Sequence, residues 1–90
     1  MSEDEFTVRD WTGTEIRALR LARRMSVREF AEHLGVSDRI VSRWEAMATH
    51  PRPVNQALLD TSLRIAGAEA RWRFAVHVAE YRGRDAERGE

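Results

Sequence analysis

The chain has 90 residues, with 15 acidic and 15 basic side chains and no cysteine, so it has room for one small domain with a single core. Without cysteine it has no disulfide framework, thiol nucleophile or thiolate metal site, and no apolar run approaches the roughly 18–20 residues of a membrane span. The zero net charge hides a gradient: residues 1–16 hold five acids against one arginine, residues 17–52 eight arginines against four acids, and residues 53–90 six of each.

Residues 1–10, "MSEDEFTVRD", lack apolar periodicity and read as a mobile acidic arm. Their charge is the opposite of a secretory signal's basic start, so a soluble cytoplasmic protein is expected. Order should begin at "DWTGTEI". Thr12 and Glu15 have capping-box spacing, and Trp11 and Ile16 sit where a hydrophobic staple closes. The first helix then runs from about Gly13 to Arg24, with Ile16, Leu19 and Ala22 or Arg23 inward.

Ser26 and Glu29 repeat the capping-box spacing ahead of the apolar set Phe30, Ala31 and Leu34. Gly35 ends this second helix, because a left-handed exit residue is cheapest as glycine. Ser37 is the next N-cap, and a third helix over about Asp38 to Ala46 places Val41 and Trp44 on one side. Two short helices this close in sequence make a helix-turn-helix arrangement.

Pro51 and Pro53 in "MATHPRP" mark a loop. A fourth helix from about Val54 should bury Leu58, Leu59 and Leu63, with Ala66 at its end. Gly67 either breaks the helix there or lies inside a continuous one. The fifth segment, "AEARWRFAVHVAEYR", has Trp72, Val76 and Ala79 on one side and Phe74, Val78 and Tyr81 on another. That is a wide apolar surface for a last helix, and it points either to core packing or to a homodimer through this helix. The expected organisation is therefore an arm at 1–10, a helix-turn-helix domain at 11–66, a C-terminal helix at 67–82 and a flexible tail at 83–90. The fold class is all-α, a compact arrangement of four to five helices.

From Ile16 to Glu45 the chain reads "IRALRLARRMSVREFAEHLGVSDRIVSRWE". This resembles the phage-repressor-like helix-turn-helix regulators of the Cro/C1 type, also called XRE-like, and is similar to the arginine- and alanine-rich regulators of actinobacteria. The resemblance implies a lambda-repressor-like domain that binds double-stranded DNA and regulates transcription. It maps the family's base-reading positions onto Asp38, Arg39, Ser42 and Arg43. Arg39 and Arg43, four residues apart, could each bond a guanine's O6 and N7, and Asp38 either accepts from a cytosine amino group or caps the helix. A dimer would place two recognition helices about 34 Å apart on a pseudo-palindromic operator.

Phosphate contacts fall, on the same resemblance, to the helix starts at Ser26, Val27, Arg28 and Ser37, and to Arg52, Asn55 and Gln56 at the fourth helix. Val27 stands where relatives often carry glutamine, and Arg28 is the candidate to compensate. The resemblance also pairs Arg20 with Glu45 as a structural bridge, and it puts Met47 where relatives frequently have glycine. Every strongly basic side chain here is arginine, whose planar five-donor fork suits phosphates and guanines.

Other chemistries find little purchase in the sequence. His33, His50 and His77 share no metal-ligand spacing, Glu29 and Glu32 form a solvated edge, and no phosphate-loop, dinucleotide or zinc-protease motif occurs. No cofactor, metal or catalytic residue is expected. The competing class is a protein-interaction or antitoxin-like module, with the acidic arm or the fifth helix binding a partner protein.

Overall fold

The computed structural model describes residues 8–88, with side chains to Tyr81. Five α-helices follow one another: α1 Gly13–Ala22, α2 Val27–Leu34, α3 Asp38–Glu45, α4 Pro53–Ile65 and α5 Ala68–Arg88. The described residues contain no strand.

Local chemistry sets most of the helix starts. At α1 the Glu15 carboxylate accepts from the Thr12 N–H at 2.8 Å and also from the Thr12 hydroxyl. At α2 the Ser26 Oγ accepts from the Glu29 N–H at 3.1 Å, and Glu29 accepts the Ser26 N–H at 2.8 Å. These bonds to Ser26 hold the Glu29 carboxyl below its usual range. Ser37 caps α3 by accepting from the Ile40 N–H at 3.2 Å. Pro53 opens α4 at a position where a missing N–H costs nothing.

The first three helices end alike. The residue after each last turn is left-handed: Arg24 (φ 59°), Gly35 (φ 78°) and Met47 (φ 60°). In each case the next N–H reaches back five residues, from Met25 to Arg20 O, Val36 to Ala31 O and Ala48 to Arg43 O. Only one of these exits is a glycine; at α1 the left-handed residue is Arg24 itself, and the helix stops at Ala22, two residues before the expected Arg24. The Met47 exit keeps the conformation that glycine would favour.

All five helices feed one core: Trp11 ahead of α1, Ile16, Ala18, Leu19 and Ala22 from α1, Phe30, Ala31 and Leu34 from α2, Val41 and Trp44 from α3, Leu59 and Leu63 from α4, and Phe74 and Val78 from α5. Burying a side chain of Ile16 or Phe30 size is worth about 1.5–3 kcal/mol. Trp11 is the N-terminal anchor. Its backbone N–H donates to Gln56 Oε1 at 2.8 Å and its indole N–H donates to Asp60 Oδ1 at 2.8 Å, with the Phe74 ring centroid 5.7 Å away.

Several expectations change. Val8 packs against the core and Asp10 lies 3.0 Å from the His50 ring nitrogen, so the tail end of the proposed arm is placed; residues 1–7 lie outside the described residues. Leu58 is exposed instead of buried, because α4 turns Leu59, Ser62, Leu63 and Ala66 inward. The chain breaks between α4 and α5, with Ala66 extended (ψ 146°). The α5 backbone then continues to Arg88, past the expected end at 82. One Gly83 costs a helix only about 1 kcal/mol, and good helix formers flank it. On α5 the inner face is Phe74 and Val78, while Trp72 is 65% exposed and Ala79 is exposed as well.

A polar knot sits under that inward turn of α4. Arg23 donates to Ser62 Oγ at 3.1 Å and to Ser62 O at 2.8 Å, and the same Oγ lies 2.8 Å from His33 Nε2. With its oxygen accepting from Arg23, the hydroxyl proton is free to donate to a neutral imidazole. Burial, and then the Arg23 charge, push the His33 pKa down from its ordinary value. A folded-state pKa below the unfolded value of about 6.5 leaves stability constant above that pH and lowers it as pH falls through the interval. Thermal melts should therefore drop modestly between pH 7.5 and 5.5, and His33→Gln should flatten the drop. An unchanged slope in the variant would remove His33 from the linkage. Arg73 closes the far end of α1 by donating to Ala22 O at 2.9 Å.

Candidate nucleic-acid interface

The geometry of α3 follows from what holds it. Val41 and Trp44 are buried, so one side of the helix is fixed against the rest of the domain. Glu45 is held as well: Arg20 Nε donates to its Oε2 at 2.7 Å and Arg20 NH2 to its Oε1 at 3.0 Å, with Arg20 NH1 reaching Met25 O at 3.1 Å. This bidentate pair is mostly shielded, with side-chain exposures of 13% and 9%, and the Glu45 bond raises the Arg20 pKa. The Arg20–Glu45 bridge read from the resemblance is present. It ties the end of α3 to α1 and keeps Glu45 off the open face.

What remains outward on α3 is Asp38, Arg39, Ile40, Ser42 and Arg43, all exposed. Arg39 and Arg43 make no hydrogen bond or ion pair with any described residue, unlike Arg20, Arg23 and Arg73. Two unpaired guanidinium groups one turn apart thus project from a rigidly backed helix. Asp38 is not the cap, since Ser37 performs that task; it stands at the first helical position, where the helix dipole favours a carboxylate. An α-helix fits a B-DNA major groove about 12 Å wide, and arginine matches a guanine edge there.

Residues 16–55 match the family model described as helix-turn-helix. This segment is similar to the helix-turn-helix of the Cro/C1-type regulators. No curated protein and no solved structure matches the chain. The matched segment of the helix-turn-helix takes in most of α1, the α2–turn–α3 unit and the first residues of α4.

The residues expected at phosphates are placed less uniformly. Ser26 donates its N–H to the Glu29 carboxylate, and its Oγ accepts from the Glu29 N–H. Val27 is half-buried and Arg28 is exposed, 3.7 Å from Glu32 across one helical turn. An exposed pair of this kind is weak and easily surrendered. Arg52 is exposed ahead of α4, with Asn55 half-buried beside it. Gln56 is drawn inward: besides accepting from Trp11, its amide donates to Trp11 O at 3.2 Å and Pro51 O at 3.3 Å.

Two features at this face carry little signal in the sequence. Ile40, 38% exposed on the open side of α3, drew no attention although it directly precedes the buried Val41. A helical step of one residue turns the side chain far enough to leave the packed side. Gly13 was read only as a helix start, but it lies against the end of α3, with its Cβ position 2.2 Å from Trp44 O. Among the described residues no group of three or more His, Asp or Glu could hold a metal ion, and no helix is long and apolar enough to cross a membrane.

Proposed function

We propose that the protein is a sequence-specific transcriptional regulator that lays α3 in the major groove and reads base edges with Arg39 and Arg43, assisted by Asp38 and Ser42. The single observation that carries this reading is the contrast along α3. Its inner residues are locked by burial and by the Arg20–Glu45 bridge, while its two arginines stand exposed and unpaired among the described residues. Unpaired guanidinium groups add nothing to this fold, whereas at a guanine edge each supplies two parallel hydrogen bonds. The backbone N–H groups at the starts of α2 and α3, together with Arg28, Arg52 and Asn55, supply phosphate contacts that set the register.

The active form on this reading is a homodimer bound to a pseudo-palindromic site. Trp72 on α5, and Val54, Leu58 and Ile65 along one stripe of α4, are large apolar side chains left exposed. They support a self-association surface; Phe74 and Val78 belong to the core. The same stripe favours the second reading, a module that binds a partner protein.

Duplexes selected from a random pool, followed by a salt titration of the selected site, test the regulator reading. At least 10³-fold preference over bulk DNA, with affinity falling steeply as salt rises, is the expected result. A footprint covering two half-sites about one helical turn apart goes with the dimer. Uniform weak binding to every duplex would sink the regulator reading in favour of the interaction module.

A further inference from the structure

We propose that Ile40 is a specificity-determining residue that recognises the 5-methyl group of a thymine beside the guanines read by Arg39 and Arg43. The inference rests on the reading of α3 as the groove-entering helix and adds an apolar contact to it. Ile40 is 38% exposed and stands in the first turn of α3, in the stretch whose backbone is fixed by the Ser37 cap on Ile40's own N–H. It is bracketed in sequence by Arg39 and, three residues on, Arg43, and residues three apart on a helix are surface neighbours. The buried Val41 and Trp44 already satisfy the inner side, so the fold makes little use of the exposed part of Ile40.

An isolated exposed isoleucine is common on protein surfaces and by itself means little. Its place separates this one from that background. The other exposed side chains of α3, Asp38, Arg39, Ser42 and Arg43, are polar or charged, and Ile40 is the single large apolar group on that open face. In the major groove the only apolar feature of a base edge is the thymine methyl. A β-branched side chain held in a helix has one strongly preferred rotamer, so its methyls are presented at little further entropic cost. Polar groups for guanine and an apolar one for thymine then lie side by side on a single rigid surface.

Deoxyuridine differs from thymidine at that position by the methyl alone, which gives a clean test. Each thymine of the selected duplex is replaced in turn by deoxyuridine, and Kd is measured for the wild-type protein, Ile40→Ala and Ile40→Val. At one thymine per half-site the wild type should lose about four-fold, the worth of one methyl-sized group removed from water. Ile40→Ala, which removes the contact at both half-sites, should bind the thymine duplex about 16-fold more weakly and be indifferent to uridine there, with Ile40→Val between. A thermal melt of each variant shows that the fold is kept. If no thymine couples to position 40 while Arg39→Ala still erases discrimination at its base pair, the Ile40 inference is wrong and the α3 reading survives. Should Arg39→Ala and Arg43→Ala retain full selectivity, or no sequence be selected, both are overturned.

Discussion

Replacing Arg39 and Arg43 with alanine is expected to weaken binding to the selected duplex by about 1–3 kcal/mol for each arginine, with far less loss on bulk DNA. Neither side chain has a partner among the described residues, and both sit on an exposed helix face where alanine is the better helix former. Stability should therefore stay within about 0.5 kcal/mol of the parent, as surface substitutions usually do. Lysine at either position should restore selectivity only in part, because a strongly hydrated ammonium on a flexible stem can reach guanine O6 and N7 but lacks the fixed fork. The salt response separates base contacts from phosphate contacts. Arg52→Ala should lower the salt slope by about one and weaken all duplexes alike, whereas Arg39→Ala should chiefly erase discrimination at one base pair. Retained selectivity in the double variant would mean that α3 does not read the bases, measured most directly by competition between the selected and scrambled duplexes.

The parts of the fold legible in the sequence were those set by local chemistry. Thr12 with Glu15, Ser26 with Glu29, and Gly35 followed by Ser37 each act within a few residues, so spacing alone placed the starts of α1, α2 and α3. The side of α3 that packs was legible too, since Val41 and Trp44 have helical spacing and the remaining positions are mostly polar. Choices between competing apolar residues were less legible. On α4, Leu58 reads as core by hydropathy, but Ser62 is buried in its stead. That exchange depends on Arg23 and His33 arriving from α1 and α2 to satisfy the hydroxyl, a condition no window of α4 contains. Gln56 likewise reads as a surface amide in its own segment, and only the Trp11 backbone, 45 residues away, turns it inward. For the interface, the arginines announced themselves by charge. Ile40 did not, because its exposure follows from the register of α3 against the core.

Gly13→Ala should destabilise the domain by about 2–3 kcal/mol, against the direction that helix propensity alone gives. Alanine is favoured over glycine inside a helix by up to about 1 kcal/mol, so an isolated α1 would gain from the change. In the folded chain the new Cβ would stand 2.2 Å from Trp44 O, 3.0 Å from Met47 Sδ and 3.1 Å from Glu45 Cα. The Met47 side chain is exposed and can swing aside, but a backbone oxygen and a Cα cannot move without α3 moving too. Overpacking of this kind costs about 1–3 kcal/mol, and contact with backbone places it in the upper part of that range. For a chain of this size the melting temperature should fall by about 10 °C or more. A melting temperature equal to or above the parent's would show that α1 and α3 are not held this closely. The displaced group carries the Arg20–Glu45 bridge and the end of the reading helix, so the consequence extends to function. Measured well below its melting temperature, the folded variant should also bind the selected duplex more weakly, because Arg39 and Arg43 keep their chemistry but lose their alignment with the groove. A loss of stability with unchanged affinity would place the aim of α3 in the α2–turn–α3 unit alone.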